Sequence, residues 1–177
     1  KDAVSGAFIV LEDQYRKGDV IAIAGVQGTV EDVSLRRTVL RDLDGVVHSV
    51  PNGEVAVASN LTRGWSGINM IIGVGYGEDT DRVKEIVDSV GQEIAIDPNW
   101  REDIIEVPTV ARVNEFAESS VDLRVLGRTT PHRQWAVAGE IRRRIKIAFD
   151  TEGIEIPFPH RVIISNSSEE TNNSTVG

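Results

Sequence analysis

Short runs of β-branched and alternating apolar residues, each followed by turn residues, dominate the chain from residue 18 to residue 64. Four such runs are present, at residues 20–24, 29–35, 38–43 and 46–50. Single glycines, Asp44-Gly45 and Pro51-Asn52-Gly53 punctuate them, as turn residues do. Asp44-Gly45 is a strong hairpin signal because this dipeptide readily adopts the positive φ angles of a tight turn. The pattern predicts a small antiparallel barrel or sandwich.

A different pattern begins at Trp65. Strand-like runs at residues 68–76, 109–116 and 120–128 alternate with two segments of helical periodicity. The first of these helices follows Asp79, and its predicted buried face consists of Val83, Ile86, Val87, Val90 and Ile94. With a last strand at residues 161–164, the predicted order is β-α-β-β-α-β, which is the order of a ferredoxin-like domain.

The second helix is predicted to open at Thr130-Pro131, a favourable pair for the N-cap and the first helical residue. Its predicted buried face consists of Trp135, Ala138, Ile141, Ile145 and Phe149. Gly153 is predicted to close this helix, because glycine adopts the left-handed conformation at helix ends. Pro157 and Pro159 then disfavour a further helix.

The composition excludes several classes of function. The 177-residue chain has 28 acidic and 19 basic residues, for a formal charge of −9, which argues against a nucleic-acid partner. It contains no cysteine, so a disulfide framework and a thiolate metal site are excluded. The β-rich unit has fewer than fifty residues. A unit of that size buries only about 60% of its unfolded surface, so it is expected to lean on neighbours or on copies of itself.

Candidate chemistry is sparse. The three histidines, His48, His132 and His160, have no partner at metal-ligand or acid–base spacing. The acidic run at residues 78–81 lacks the spacing of a calcium loop and is better explained as the start of a helix. We therefore predict no catalytic residue, no metal site and no cofactor.

The order and spacing of several short motifs resemble the small-conductance mechanosensitive ion channels, the MscS-like family. The motif residues fall in two regions of the chain, and they are Gly28, Arg37, Thr38, Arg41, Asp44, Gly45, Pro51, Asn52 and Gly53 in the first and Gly153, Pro157 and Pro159 in the second. Asn60 and the segment around Gly73 and Tyr76 extend the resemblance. The match covers nearly the whole chain except its first four residues and its polar tail.

The resemblance implies a fold of class all-β plus α+β. A small Sm-like β barrel domain would be followed by a ferredoxin-like βαββαβ domain and a C-terminal strand. The expected divisions are the end of a pore-lining helix and its exit at 1–17, the Sm-like β domain at 18–64, the ferredoxin-like α/β domain at 65–160, the C-terminal strand at 161–165 and a disordered tail at 166–177.

The resemblance also implies a function. This region would be the cytoplasmic cage of a channel in the inner membrane that opens under tension and releases ions and small solutes on hypo-osmotic shock. The expected partners are copies of the chain itself, as a homoheptamer, the lipid bilayer through upstream helices, and the permeating solutes. The gate would lie outside this chain, and the protein would not be an enzyme.

Arg16 and Lys17 are the predicted membrane-proximal residues, although an exposed pair in a turn explains them equally well. Residues 12–14, Glu-Asp-Gln, depart from the arginine-proline type of exit associated with well-known members of the family. The main alternative is a cytoplasmic assembly or ligand-sensing module without channel activity. An Sm-type RNA binder is disfavoured by the acidic charge, and an acylphosphatase-like enzyme by the lack of a phosphate loop with paired Arg and Asn.

Overall fold

The computed structural model describes residue 4, residues 8–9, residues 12–159 and residue 161. Val4, Phe8 and Ile9 are helical, and the Glu12 amide donates to the Phe8 carbonyl at 2.8 Å as in a last helical turn. The predicted strand at 161–165 and the predicted tail at 166–177 lie outside the described residues, apart from Arg161, which is in no regular element.

The first half of the chain forms a five-stranded antiparallel sheet of order β4-β3-β2-β1-β5. Its strands are β1 (Val20–Ile23), β2 (Val26–Val33), β3 (Arg37–Arg41), β4 (Val47–Pro51) and β5 (Ala58–Asn60), and a 3-10 helix, Asn52–Glu54, separates the last two. The four predicted strands are confirmed, with ends shifted by at most three residues. The fifth was not predicted, because Ala58-Ser59-Asn60 is short and lacks β-branched residues.

Alternation along these strands builds the first hydrophobic core. Its inward-facing residues are buried, and they are Ile21, Ile23, Val30, Leu40 and Val50, joined by Ile9 and Tyr15 from the segment that precedes the sheet. The described N-terminal residues therefore contribute to the core of the β domain.

Gly28 lies where β2 passes close to the end of β3. A Cβ atom at this position would lie 2.5 Å from the Arg41 carbonyl oxygen, well inside van der Waals contact. The conformation of Gly28 is ordinary, so the constraint is space: a side chain would separate the two strands.

The second half forms a three-stranded antiparallel sheet of order β6-β8-β7, with two helices packed on one face. Its elements are β6 (Ser66–Val74), α1 (Thr80–Ile96), β7 (Ile104–Phe116), β8 (Val121–Thr129) and α2 (Gln134–Glu152). This is the order β-α-β-β-α predicted from the sequence for a split β-α-β domain, and the predicted fourth strand lies outside the described residues. Neither α1 nor α2, in the described part of the chain, is long and apolar enough to span a bilayer.

The predicted start of α2 is wrong. Thr130-Pro131 lies in a turn in which His132 has a φ of 70°, and the helix begins at Gln134. The buried positions are Val137, Ile141, Ile145 and Phe149. Trp135, predicted to be buried, is 49% exposed, because it lies two residues before Val137 and so points roughly 200° away around the helix.

An ion-pair cluster joins the two helices at one end. Arg144 binds Asp97, the residue after α1, at 2.5 Å and Glu140 at 2.8 Å, and Arg143 also binds Glu140 at 2.8 Å. Hydrogen bonds from Arg143 and then Arg144 lower the pKa of Glu140 to about 2. The carboxylate therefore stays ionised well below neutral pH and holds both arginines on α2.

Candidate functional site at the junction of the exit segment and the β domain

Three buried side chains form a hydrogen-bonded chain between the exit segment (residues 12–17) and the β domain. Thr38 Oγ1 donates to Asn52 Oδ1 at 2.9 Å. The hydroxyl has one proton, so it accepts from the Tyr15 hydroxyl, 3.0 Å away. Asn52 Nδ2 then donates to the Ser34 carbonyl at 2.8 Å. Tyr15 is 3% exposed, and Thr38 and Asn52 are 0% exposed.

The two strands β3 and β4 fix the middle of this Tyr15–Thr38–Asn52 chain. Thr38 lies opposite Val50, and Arg37 lies opposite Pro51, in the antiparallel register. Asn52 follows directly as the first residue of the 3-10 helix, and its amide donates to the Arg36 carbonyl at 2.9 Å. Gly53 lies within the same short helix. Asn52 therefore binds the β2–β3 loop through both its backbone and its side chain.

Burial raises the pKa of the Tyr15 hydroxyl above its ordinary value. The hydroxyl consequently keeps its proton and remains a donor to Thr38 over the physiological range. A buried hydroxyl or amide that is left without a hydrogen-bond partner destabilises the fold by more than one such hydrogen bond stabilises it. The three side chains therefore stabilise the fold only when all of them are present.

A second set of contacts holds the exit segment from the side of β5. Asn60 Nδ2 donates to Asp19 Oδ2 at 2.8 Å and to the Gln14 carbonyl at 3.4 Å. Arg63 also donates to the Gln14 carbonyl, at 3.2 Å, and to the Asp13 carbonyl. The exit segment is therefore bound by the middle of the β domain, through Thr38, and by its C-terminal end, through Asn60 and Arg63.

Arg16 and Lys17, the predicted membrane-proximal residues, are exposed next to Tyr15. Arg16 forms an ion pair with Asp13 at 2.7 Å, and this hydrogen bond is the main cause of the lowered pKa of Asp13. Lys17 forms no ion pair with any residue of the described ranges.

Arg41, Asp44 and Gly45 lie at the opposite end of β3, in the predicted hairpin. Gly45 has a φ of 81°, and its carbonyl accepts from Arg41 Nη1 at 2.8 Å. The side chain of Asp42 shapes the turn by accepting from the amides of Asp44 and Val46, both at 2.9 Å. These motif residues define the turn and take no part in the buried chain.

The second group of motif residues lies in the α/β domain. Gly153 ends α2 in the left-handed conformation, with a φ of 69°, as predicted. Pro157 is half-buried and Pro159 is exposed, both outside regular structure. The motif residues thus occupy three separate places, and only Arg37, Thr38, Pro51, Asn52 and Gly53 lie together at the junction.

Sequence reasoning missed Tyr15, Ser34 and Arg63 as members of this junction. The available signal was a single aromatic residue among charged ones at residues 12–19, which is unusual for an exposed turn. Among the described residues no group of three or more His, Asp and Glu could hold a metal ion.

Thr38→Val keeps the shape of the side chain but leaves the Tyr15 hydroxyl and Asn52 Oδ1 buried without a partner. We expect the free energy of unfolding, measured by urea denaturation and circular dichroism, to fall by about 2–4 kcal/mol. Thr151→Val is the matched control, since Thr151 is exposed on α2, and should change it by less than about 0.5 kcal/mol. Equal effects of the two substitutions would contradict the buried chain.

Comparison with known proteins identifies the family. The β-domain model of mechanosensitive ion channels matches residues 1–63, and the model of the C-terminal region of the mechanosensitive ion channel MscS matches residues 68–156. The small-conductance mechanosensitive channel of Caldanaerobacter subterraneus subsp. tengcongensis is 36% identical over 172 residues, covering 97% of this chain and 60% of that protein.

Further matches are also to mechanosensitive channels. The moderate conductance mechanosensitive channel YbiO of Escherichia coli is 29% identical over 157 residues, covering 89% of this chain and 21% of that protein. The crystal structure of Helicobacter pylori MscS in the closed state superposes with a TM-score of 0.72 at 27% identity, covering 94% of this chain and 65% of that chain. This chain therefore spans less than two thirds of each of these relatives. It belongs to the MscS family of mechanosensitive ion channels.

Proposed function

We propose that the full-length protein is a membrane channel that opens under bilayer tension and releases ions and small solutes during hypo-osmotic shock. This chain is its cage, on the cytoplasmic side of the inner membrane, and it has no enzymatic role. Family membership supports the activity, and the observation that carries the role of this region is the buried attachment of the exit segment to the β domain through Tyr15.

The junction suggests how the cage and the upstream helix act on each other. Ile9 and Tyr15 are anchored in the core of the β domain, and Tyr15 contacts Thr38 directly. Closely packed interiors have low compressibility, so a contact of this kind transmits a displacement and does not absorb it. A displacement of the helix end is therefore passed to β3 and the 3-10 helix, and the β domain is the platform against which the helix moves.

The division of the chain into a β domain at 18–64 and an α/β domain at 65–160 belongs to the same proposal. Each region has its own hydrophobic core. The Leu61 carbonyl joins them, since it accepts from Ser66 Oγ at 3.0 Å and from Gln134 Nε2 at 3.3 Å. The two separate cores, joined at Leu61, support the predicted division.

We propose self-assembly into a ring, a heptamer by resemblance to the family, and the sheet edges support it. β4 and β5 are the two outer strands of the first sheet, and each leaves one row of backbone groups without a strand partner among the described residues. Two different edges on one molecule can pair head to tail, which closes a ring when the rotation between copies allows it. Val57, next to β5, is 74% exposed, as expected of a residue covered by another copy.

The charge of the cage suggests which ions pass. Each copy carries a formal charge of −9, and a vestibule lined by one sign of charge concentrates ions of the opposite sign. We therefore propose a preference for cations, provided that the acidic residues face the interior of the cage.

The channel activity is tested by graded suction on excised patches from channel-deficient bacteria that express the full-length protein. We expect stepwise currents whose frequency rises with tension and whose reversal potential in a salt gradient shows cation preference. Patches from cells without the gene are the control. Silent patches from membranes in which the protein is demonstrably present would contradict the proposal.

The ring through β4 and β5 is tested by Val57→Lys in the full-length protein in detergent. A lysine in the contact would be desolvated without a partner, so the mass from light scattering should fall below that of the wild-type assembly. Ile96→Lys is the matched control, because Ile96 is 75% exposed but lies at the end of α1, and it should leave the mass unchanged. An intact assembly in Val57→Lys would rule out this edge.

A further inference from the structure

The β2–β3 loop (residues 34–36) lies at the same end of the β domain as the exit segment. The buried chain connects the two: Tyr15 contacts Thr38, which is two residues after the loop, and Asn52 binds the carbonyls of Ser34 and Arg36. Since adjacent Cα atoms are about 3.8 Å apart, Arg36 lies within about 8 Å of the residue that binds Tyr15.

The loop is tightly held but exposes an unusual set of side chains. The amide and the hydroxyl of Ser34 both donate to the Arg37 carbonyl, each at 2.9 Å, which closes the turn. Leu35 is 57% exposed at its tip, and Arg36 and Arg37 are exposed beside it. A large apolar side chain is thus presented to the outside by a rigid turn with two arginines.

Some of the basic side chains at this end of the β domain form ion pairs with acidic residues, and others do not. Arg16 and Arg63 both approach Asp13, at 2.7 and 3.6 Å. Lys17, Arg36 and Arg37 form no ion pair with any described residue. Arg36 and Arg37 therefore follow the exposed Leu35 without an ion pair among the described residues, and Lys17 lies on the exit segment at the same end of the β domain.

We propose that the β2–β3 loop is a membrane-contact element, with Leu35 entering the headgroup region and Arg36 and Arg37 binding anionic lipid headgroups. This inference rests on the proposed function, because it requires the exit segment to leave the bilayer nearby. Apolar contact together with electrostatic attraction to anionic lipid is the combination that holds peripheral segments at a membrane surface.

The charge of the loop and its place beside the exit segment favour anionic lipid as its occupant. Asn52 connects the loop to the β4 edge, and the β5 edge lies on the other side of the sheet. Arg36 and Arg37, which form no ion pair with any described residue, attract an anionic surface. Under the proposed function, the anionic surface next to the exit segment is the membrane.

This chain contains no cysteine, so a single-site test in the full-length protein requires only that any cysteine outside this chain be replaced by serine. Leu35→Cys, labelled with an environment-sensitive fluorophore in the full-length protein, is reconstituted into phosphatidylcholine vesicles with and without phosphatidylglycerol, and quenching by headgroup-spin-labelled lipid is measured. Leu43→Cys is the matched control, because Leu43 is 105% exposed beyond the opposite end of β3. We expect strong quenching at position 35, increased by phosphatidylglycerol, and little at position 43.

Charge is tested by adding Arg36→Gln and Arg37→Gln to the labelled protein. Removing two cations near an anionic surface should weaken the contact by roughly 30-fold, so quenching at position 35 should fall toward that at position 43. Arg112→Gln with Arg142→Gln is the control, since both arginines are exposed on the α/β domain and form no ion pair with described residues. An equal loss in this control would overturn the proposal.

A label on Lys17→Cys separates this inference from the proposed function. Quenching at position 17 without quenching at position 35 would overturn the loop contact and leave the membrane-proximal exit standing. No quenching at either position would overturn both. Protection of position 35 from aqueous iodide without quenching by lipid would assign the loop to a contact between copies and would also overturn the proposal.

Discussion

The junction of this molecule depends on one shared hydroxyl. Thr38 Oγ1 donates its only proton to Asn52 and must therefore accept from Tyr15, with all three side chains buried. Such a group stabilises a structure only when every partner is present. Through it the exit segment, β3 and the 3-10 helix become one unit, and Asn52 extends that unit to the β2–β3 loop. The position of the chain that enters the β domain is thereby fixed.

The small size of the β domain gives this junction its importance. In the described part of the chain, the five-stranded sheet has a small hydrophobic core, and its outer strands β4 and β5 each have a strand partner on one side only. A domain of this size buries little apolar surface on its own. It gains support from Ile9 and Tyr15 on one side and from the α/β domain through Leu61 and Gln134 on the other. In the proposed assembly, neighbouring copies would supply the remainder at β4 and β5, and assembly would then also stabilise the fold.

Local sequence signals predicted most of the fold, because they act over a few residues. The Asp44-Gly45 hairpin and the end of α2 at Gly153 were predicted correctly, since each requires a backbone geometry that glycine favours. Predictions failed where long-range packing decides: β5 forms because β1 offers a partner, and α2 starts at Gln134 rather than at a good capping sequence. The contact of Tyr15 with Thr38 joins residues 23 apart, so no local pattern could show it.

The most direct test of this account is a double-mutant cycle between Tyr15→Phe and Thr38→Val, with unfolding free energies measured in urea. Because the two hydroxyls bind each other in a buried site, we predict a coupling free energy of about 1–3 kcal/mol between the substitutions. Additive effects of the two changes would mean that the hydroxyls do not act as a pair, and the exit segment would then not be anchored to the β domain in the way described.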